Sequence, residues 1–173
     1  PNIILLTANN SVFNQNVQLL YNASDDHNLY NCTLFVNDVA NQTNISLPSN
    51  TVQNFSLTLG SGNYTWKVQC YDNSTFPNVN TSLVNTIRVD ADAPVVKLES
   101  PANNSVLNYT LVTFNYNVTD AYNILNCTLF LNSTANETNS TMLTGVTQNF
   151  TVNLSNGNYN WSVKCYDNVS NLG

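Results

Sequence analysis

The chain contains the segment GNYTWKVQCYDN at Gly62–Asn73 and repeats it almost unchanged, as GNYNWSVKCYDN, at Gly157–Asn168. In both copies tyrosine, tryptophan, valine and cysteine alternate with polar residues. A period of two is typical of a β-strand that buries one face and exposes the other. The sequence therefore predicts the same half-buried strand twice.

The same duplication extends through the rest of the chain. Two shorter strings, NNSV and NCTLF, begin at Asn9 and Asn31 in the first copy and return at Asn103 and Asn126 in the second. Self-similarity at a fixed period indicates repeated structural units, so we expect two domains, residues 1–91 and 92–173. The junction reads VDADAP and ends at Pro94, whose fixed φ angle predicts a stiff hinge.

Apolar runs throughout the copies have the strand period. In the second copy they cover 112–118, 127–131, 150–154 and 159–165, separated by turn formers such as Asn156-Gly157-Asn158. No stretch has the 3.6-residue period of an amphipathic helix. Short alternating strands separated by turns favour an all-β fold, two tandem immunoglobulin-like β-sandwiches.

Three of these strings resemble a known family. The G-N-Y-x-W-x-V-x-C-Y-D-N segment, the V-D-x-x-A-P junction and the S-P-x-N-N-S-V opening at Ser100–Val106 are similar to the tandem immunoglobulin-like or fibronectin-III-like repeats of archaeal and bacterial cell-surface proteins, including surface-layer and surface-filament proteins. The resemblance covers both copies. It implies the sandwich architecture and a cell-surface location, but no particular activity, because this fold hosts many unrelated functions.

Composition excludes several classes of protein. The chain has 173 residues, of which 10 are acidic and 4 are Lys or Arg, giving a net charge of −6. Nucleic-acid binding needs clustered cations that this chain lacks. No apolar run exceeds the four residues of Ile3–Leu6, so we expect no membrane insertion and no secretory signal in this segment. Because the chain starts at Pro1, we expect it to be a processed or excised piece of a longer protein.

Four cysteines form two pairs with equal spacing: Cys32 with Cys70, and Cys127 with Cys165. A repeated intradomain disulfide leaves this pattern, whereas zinc and redox sites use C-x-x-C spacing. All four cysteines lie at the core-facing positions of their predicted strands. The strand order places each bridge between strands C and F, whereas the bridge of antibody domains joins strands B and F. Buried free thiols are the alternative. Disulfides would indicate an oxidising, extracellular compartment.

The triplet Asn-x-Ser/Thr, the acceptor for N-linked glycosylation, occurs 20 times. Random placement of the 35 asparagines and 34 serines and threonines would give about seven. Several sequon asparagines, including Asn132 and Asn160, lie on predicted strands. All of them alternate with the core-facing residues, so none is expected to be buried. The predicted glycosylation sites are Asn9, Asn22, Asn31, Asn41, Asn44, Asn54, Asn63, Asn73, Asn80, Asn103, Asn108, Asn117, Asn126, Asn132, Asn136, Asn139, Asn149, Asn153, Asn160 and Asn168.

Two interpretations of this excess remain. N-linked glycans would replace surface charge, block pairing at sheet edges and shield the backbone from proteases. Alternatively, asparagine and threonine fill the polar strand faces of a chain that avoids charge, and the triplets accompany them.

Most acidic residues are predicted at the ends of the sandwiches. Calcium binds six to eight oxygens from carboxylates, amides and carbonyls. The candidate calcium ligands are Asp90, Asp92, Asp120 and Asp167. The alternative is that these aspartates are turn formers at strand ends. No other cofactor is predicted.

The two copies end differently. The first continues through Leu83, Val84, Ile87 and Val89, a predicted last strand G, whereas the second reaches Gly173 where its strand G should begin. We expect either a continuation of the chain or a strand supplied by another subunit, as in donor-strand assembly.

No catalytic set stands out, and we predict that the chain is not an enzyme. His27 is the only histidine, and Tyr122 has the equivalent position in the second copy. No nucleophile elbow or phosphate loop occurs. Asp25 and Asp26 are adjacent in a predicted loop and do not form the opposed pair that glycoside hydrolysis needs.

The sequence favours a structural function. Our first hypothesis is a heavily N-glycosylated repeat segment of an extracellular surface filament or surface layer, whose partners are copies of itself or neighbouring repeats of the same chain. The alternative is an adhesin stalk or binding module that recognises carbohydrate or another cell. The likeness of the two copies favours a repeated building block.

Overall fold

The computed structural model describes residues 1–173 and divides them into two compact units, Pro1–Ala91 and Asp92–Gly173. All of the regular secondary structure is β, in fifteen strands. The all-β prediction is confirmed. The structure contains no helix that could span a bilayer.

The first unit is built from nine strands in two sheets. The strands are β1 Asn2–Leu5, β2 Ser11–Phe13, β3 Asn16–Ser24, β4 Leu29–Val36, β5 Val39–Leu47, β6 Thr51–Thr58, β7 Gly62–Asp72, β8 Val79–Thr81 and β9 Asn85–Val89. One sheet has the order β1-β3-β6, and the other has the order β2-β9-β7-β4-β5 with β8 also paired to β7. Only β2 and β9 pair in parallel.

The second unit has six strands in two sheets. They are β10 Val95–Ser100, β11 Leu111–Thr119, β12 Ile124–Leu131, β13 Thr134–Asn139, β14 Gln148–Asn153 and β15 Trp161–Asp167. The sheets have the orders β10-β11-β14 and β13-β12-β15. Beyond β15, Leu172 bridges to Tyr166, and Gly173 exchanges two backbone hydrogen bonds with Cys165. No strand of this unit corresponds to β2 or β9.

Each core lies between the two sheets of its unit, because the alternating apolar residues point inward. In β11, Val112, Phe114, Tyr116 and Val118 are at most 4 % exposed. Both cores contain a stacked aromatic pair, with ring centroids 5.1 Å apart for Tyr21 and Phe55 and 5.3 Å apart for Tyr116 and Phe150. The duplication in sequence is therefore also a duplication of core packing.

Two predicted strand positions prove to be irregular. Asn132 and Ser133 form the two-residue turn between β12 and β13, with φ angles of 50° and 67°, and Asn37 and Asp38 do the same between β4 and β5. Positive φ at both positions is typical of a type I′ turn, which asparagine tolerates well. The placement of Asn132 on a strand was therefore wrong. It was also wrong for Asn160, because β15 begins one residue later.

Candidate functional site

Each unit contains one disulfide between adjacent strands of the same sheet. Cys32 in β4 lies directly opposite Cys70 in β7, and Cys127 in β12 lies opposite Cys165 in β15. The Cα atoms are 4.1 and 4.0 Å apart, as at the narrow, non-hydrogen-bonded positions of an antiparallel ladder. Strands C and F of the prediction are β4 and β7 in the first unit and β12 and β15 in the second, so the predicted bridge between them is confirmed. Buried disulfides of this kind are typical of extracellular and secreted proteins.

The twenty sequon asparagines are spread over both units, and none of them is buried. Fourteen are exposed, and six are half-buried: Asn22, Asn31, Asn44, Asn117, Asn126 and Asn139. In a strand, residues two positions apart point to the same side of the sheet. A sequon at the polar parity therefore presents its asparagine and its Ser or Thr together on the outer face.

Some of these side-chain amides already bind the protein. Glycans attach at the asparagine Nδ2 atom, and four of these atoms donate hydrogen bonds: Asn22 to Asn50 Oδ1 at 3.2 Å, Asn44 to Tyr21 Oη at 3.2 Å, Asn54 to Gln18 Oε1 at 2.9 Å, and Asn80 to the Pro1 carbonyl at 2.8 Å. Attachment removes one of the two hydrogens on Nδ2. We therefore expect lower glycan occupancy at these four positions than at sequons in exposed turns.

Four sequon threonines pair with one another across neighbouring strands. Thr33 shares a hydrogen bond with Thr43 across β4 and β5 at 2.9 Å, and Thr128 does so with Thr138 across β12 and β13 at 2.8 Å. Cross-strand threonine pairs of this kind contribute about 0.2–1 kcal/mol each. The interpretation that needs no glycans therefore accounts for the threonines of these four sequons.

Two aspartates at equivalent positions bind the loop that follows them. Asp72 accepts hydrogen bonds from Ser74 Oγ at 2.8 Å, Asn78 N at 2.9 Å and Asn78 Nδ2 at 2.8 Å. Asp167 accepts from Val169 N at 2.8 Å, Asn171 N at 2.8 Å and Asn171 Nδ2 at 2.7 Å. Hydrogen bonds from Asn78, supported by Ser74, hold the pKa of Asp72 far below its usual range despite the opposing effect of burial.

The candidate calcium ligands are divided between the units. Asp90 follows β9 in the first unit, and Asp92, Asp120 and Asp167 belong to the second. Within the second unit, carboxylate oxygens of Asp120 and Asp167 lie within 4.8 Å of each other. Two carboxylates supply only part of the six to eight oxygens that calcium takes, so the calcium site stays a prediction.

Each unit has a cation–aromatic contact on its outer face that was not predicted from the sequence. The Lys67 ammonium lies 5.7 Å from the ring centroid of Phe35, and the Lys164 ammonium lies 5.1 Å from that of Phe130. Such contacts contribute about 0.5–1 kcal/mol at exposed sites. The sequence contained a sign of this contact. Two of the four Lys and Arg residues lie at outward-facing positions of the strand that neighbours the strand of these phenylalanines.

Comparison with solved structures supports the fold. The chain is similar to the fibronectin(III)-like modules of Clostridium thermocellum CbhA, with 14 % identity and a TM-score of 0.54 over 99 % of this chain and 88 % of that chain. It also matches SGBP-B of the Bacteroides ovatus mixed-linkage glucan utilization locus, solved in complex with a mixed-linkage heptasaccharide, with 13 % identity and a TM-score of 0.35 over 99 % of this chain and 45 % of that chain.

At this identity, the likeness to the modules of CbhA shows the fold alone. The chain has the fold of tandem fibronectin-III-like or immunoglobulin-like β-sandwiches. No family model matches the sequence. No curated protein matches it either. The resemblance to fibronectin-III-like repeats is confirmed for the architecture, and the surface-layer and archaeal context stays a prediction.

Proposed function

We propose that the chain is an N-glycosylated structural segment of an extracellular surface filament or surface layer. The observation that carries the proposal is the outward position of the sequons: 20 occur where about seven are expected, and none of their asparagines is buried. A chain with 8 % charged residues needs another source of surface hydration, and glycans supply it. The partners are copies of the chain or neighbouring repeats, and no catalytic role is part of the proposal.

The two units also repeat the spacing between sequons. In the first unit Leu20 pairs with Asn54, which makes Asn22 and Asn54 diagonal neighbours across β3 and β6. In the second unit Asn115 pairs with Asn149, so Asn117 and Asn149 have the same relation across β11 and β14. Diagonal neighbours lie about 7–8 Å apart. Glycans on this pair would cover the outer face of the same sheet in both units.

Intact-mass measurement of the protein from its native source tests the proposal. The unmodified chain has a mass of 19.1 kDa, and we expect a native mass well above it that falls towards this value when glycans are removed. Asn149→Gln should lower the native mass by one glycan, whereas the control Thr151→Ser keeps the sequon and should leave the mass nearly unchanged. A native mass equal to that of the bare chain would refute the proposal.

A further inference from the structure

The outer surface of the β1-β3-β6 sheet in the first unit carries a patch of exposed aliphatic side chains. Ile4 and Val52 flank Asn22, because both pair with it across the sheet. In the next row, the Leu6 N–H donates a hydrogen bond to the Leu20 carbonyl at 2.9 Å. The four aliphatic side chains are between 39 % and 59 % exposed, and together they are called the aliphatic face.

The equivalent surface of the second unit is polar. The two sheets align through their strand registers, in which Lys97 pairs with Asn117 as Ile4 pairs with Asn22. By the same alignment the other three residues of the aliphatic face correspond to Glu99, Asn115 and Thr147. An exposed apolar patch marks a surface that interacts with another molecule. Here the patch is a property of the first unit and not of the fold.

The chain enters β1 beside the opposite sheet and not across the aliphatic face. The Pro1 carbonyl accepts a hydrogen bond at 2.8 Å from Nδ2 of Asn80 in β8, which belongs to the sheet with the disulfide. The second unit repeats this path, because the carbonyl of Asp92, before β10, accepts a hydrogen bond at 2.9 Å from Nδ2 of Asn171, beyond β15. The residues that lead into β1 therefore leave the aliphatic face open.

The polar side chains around the aliphatic face are hydrogen-bonded to one another. Gln18 Oε1 accepts from Asn54 Nδ2 and from Ser56 Oγ, both at 2.9 Å. Asn22 Nδ2 donates to Asn50 Oδ1 at 3.2 Å. These groups keep their partners when water is displaced, which lowers the desolvation cost of covering the sheet. The same bonds engage both sequon amides of this sheet, so the surface suits a protein partner better than a glycan.

Charge identifies the partner as a second copy of the chain. The strands β1, β3 and β6 contain no charged residue, whereas the chain as a whole has a net charge of −6. Two copies therefore meet through this surface without bringing like charges together. The equivalent surface of the second unit would instead bury Lys97 or Glu99 against aliphatic side chains, at a desolvation cost. The matching surface within this chain is the aliphatic face itself.

We propose that the aliphatic face packs against the same face of a second copy, in a two-fold symmetric contact between first units. One small sheet gives a contact below the standard interface size, so we expect a Kd on the order of 0.1 mM. A polymer would add many such contacts. The role of the contact rests on the structural function proposed above, because it supplies the surface through which copies meet. Glycans on Asn22 or Asn54 would lie between the two faces, so the contact requires both sequons to be unoccupied.

Sedimentation equilibrium of the full chain, with its disulfides formed and without glycans, tests this proposal. We expect a reversible equilibrium between monomer and dimer. Ile4→Lys with Leu20→Asn introduces the residues of the second unit and should raise Kd about tenfold or more. The control Val39→Lys with Leu83→Asn makes the same kinds of change at aliphatic side chains that are more exposed but lie off the aliphatic face, and it should leave Kd unchanged.

A second measurement needs no substitution. In ¹H–¹⁵N NMR spectra of the unsubstituted chain, shifts that depend on concentration should be confined to β1, β3 and β6.

Three results would overturn the proposal: a chain that is monomeric at about 1 mM, equal Kd values for the face variant and the control, or concentration-dependent shifts in the second unit or the disulfide-containing sheet, which would place the contact on another surface. A monomeric chain would reject this contact and leave the glycosylated segment standing, because the native mass tests that function separately. A native mass equal to that of the bare chain would refute the glycosylation and leave the contact standing.

Discussion

Removal of a disulfide should destabilise the unit that contains it and leave the stability of the other unit unchanged. The two matched perturbations are Cys32→Ala with Cys70→Ala, and Cys127→Ala with Cys165→Ala. Both bridges close loops with the same sequence separation of 38. In the chain-entropy model, closure of such a loop contributes about 4 kcal/mol to the free energy of unfolding.

The same loss should have a different consequence in each unit. For domains of this size, 1 kcal/mol corresponds to about 4–8 °C in Tm, so each deletion should lower the Tm of its unit by roughly 15–30 °C. The first unit buries 15 apolar residues in its core and the second buries 10. We expect the second unit to melt first in the native chain and to be unfolded at 37 °C without its disulfide.

Differential scanning calorimetry of the full chain measures this, because units that unfold independently give separate transitions. One transition should move in each double variant while the other stays within a few degrees. Movement of the same transition in both variants would show that the units do not unfold independently, and a loss below about 1 kcal/mol in either would contradict stabilisation by loop closure.

Three further predictions concern stability. Trp66→Ala should lower the free energy of unfolding of its unit by about 3–5 kcal/mol. Trp161→Ala, at the half-buried counterpart, should lower that of the second unit by less than half as much. Equal losses in urea denaturation would show that the difference in burial does not set the cost. Because the pKa of Asp72 is lowered in the folded state, its hydrogen bonds stabilise the protein at neutral pH, and this stabilisation is lost progressively as the pH falls below about 5. Asp72→Asn should therefore flatten the acid side of the stability profile, and an unchanged slope would show that other groups dominate. If the four candidate aspartates bind calcium, calcium at ten times its Kd would raise the free energy of unfolding by about 1.4 kcal/mol and raise Tm by several degrees relative to the protein with a chelator. Identical Tm values in the two conditions would contradict the calcium site.

Most of the strand positions, the core residues and the disulfide pairs could be predicted from the sequence. These properties depend on parity along a strand, which is a local property: a residue such as Phe114 or Cys127 points inward because its neighbours at i±2 do. The turn at Asn132 was not predicted, because a polar residue next to the inward-facing Leu131 also fits the alternation of a continuing strand. Its two-residue connection follows from the pairing of β12 with β13, which involves residues on both sides of the turn.

The tripeptide Gly-Asn-Tyr occurs at Gly62–Tyr64 and again at Gly157–Tyr159. Its secondary structure in the two units distinguishes the effect of local sequence from that of tertiary pairing. In the first unit it is part of β7, and in the second it has no regular structure. The residues are identical, but in the first unit β9 lies beside them and pairs with their peptide groups. Alternation of side chains specifies which face a strand would bury, whereas a ladder forms only when a partner strand from elsewhere in the chain is present to exchange hydrogen bonds. Local sequence thus determined the inner and outer faces of both units, and tertiary pairing decided that the same tripeptide became part of a strand in the first unit and stayed irregular in the second.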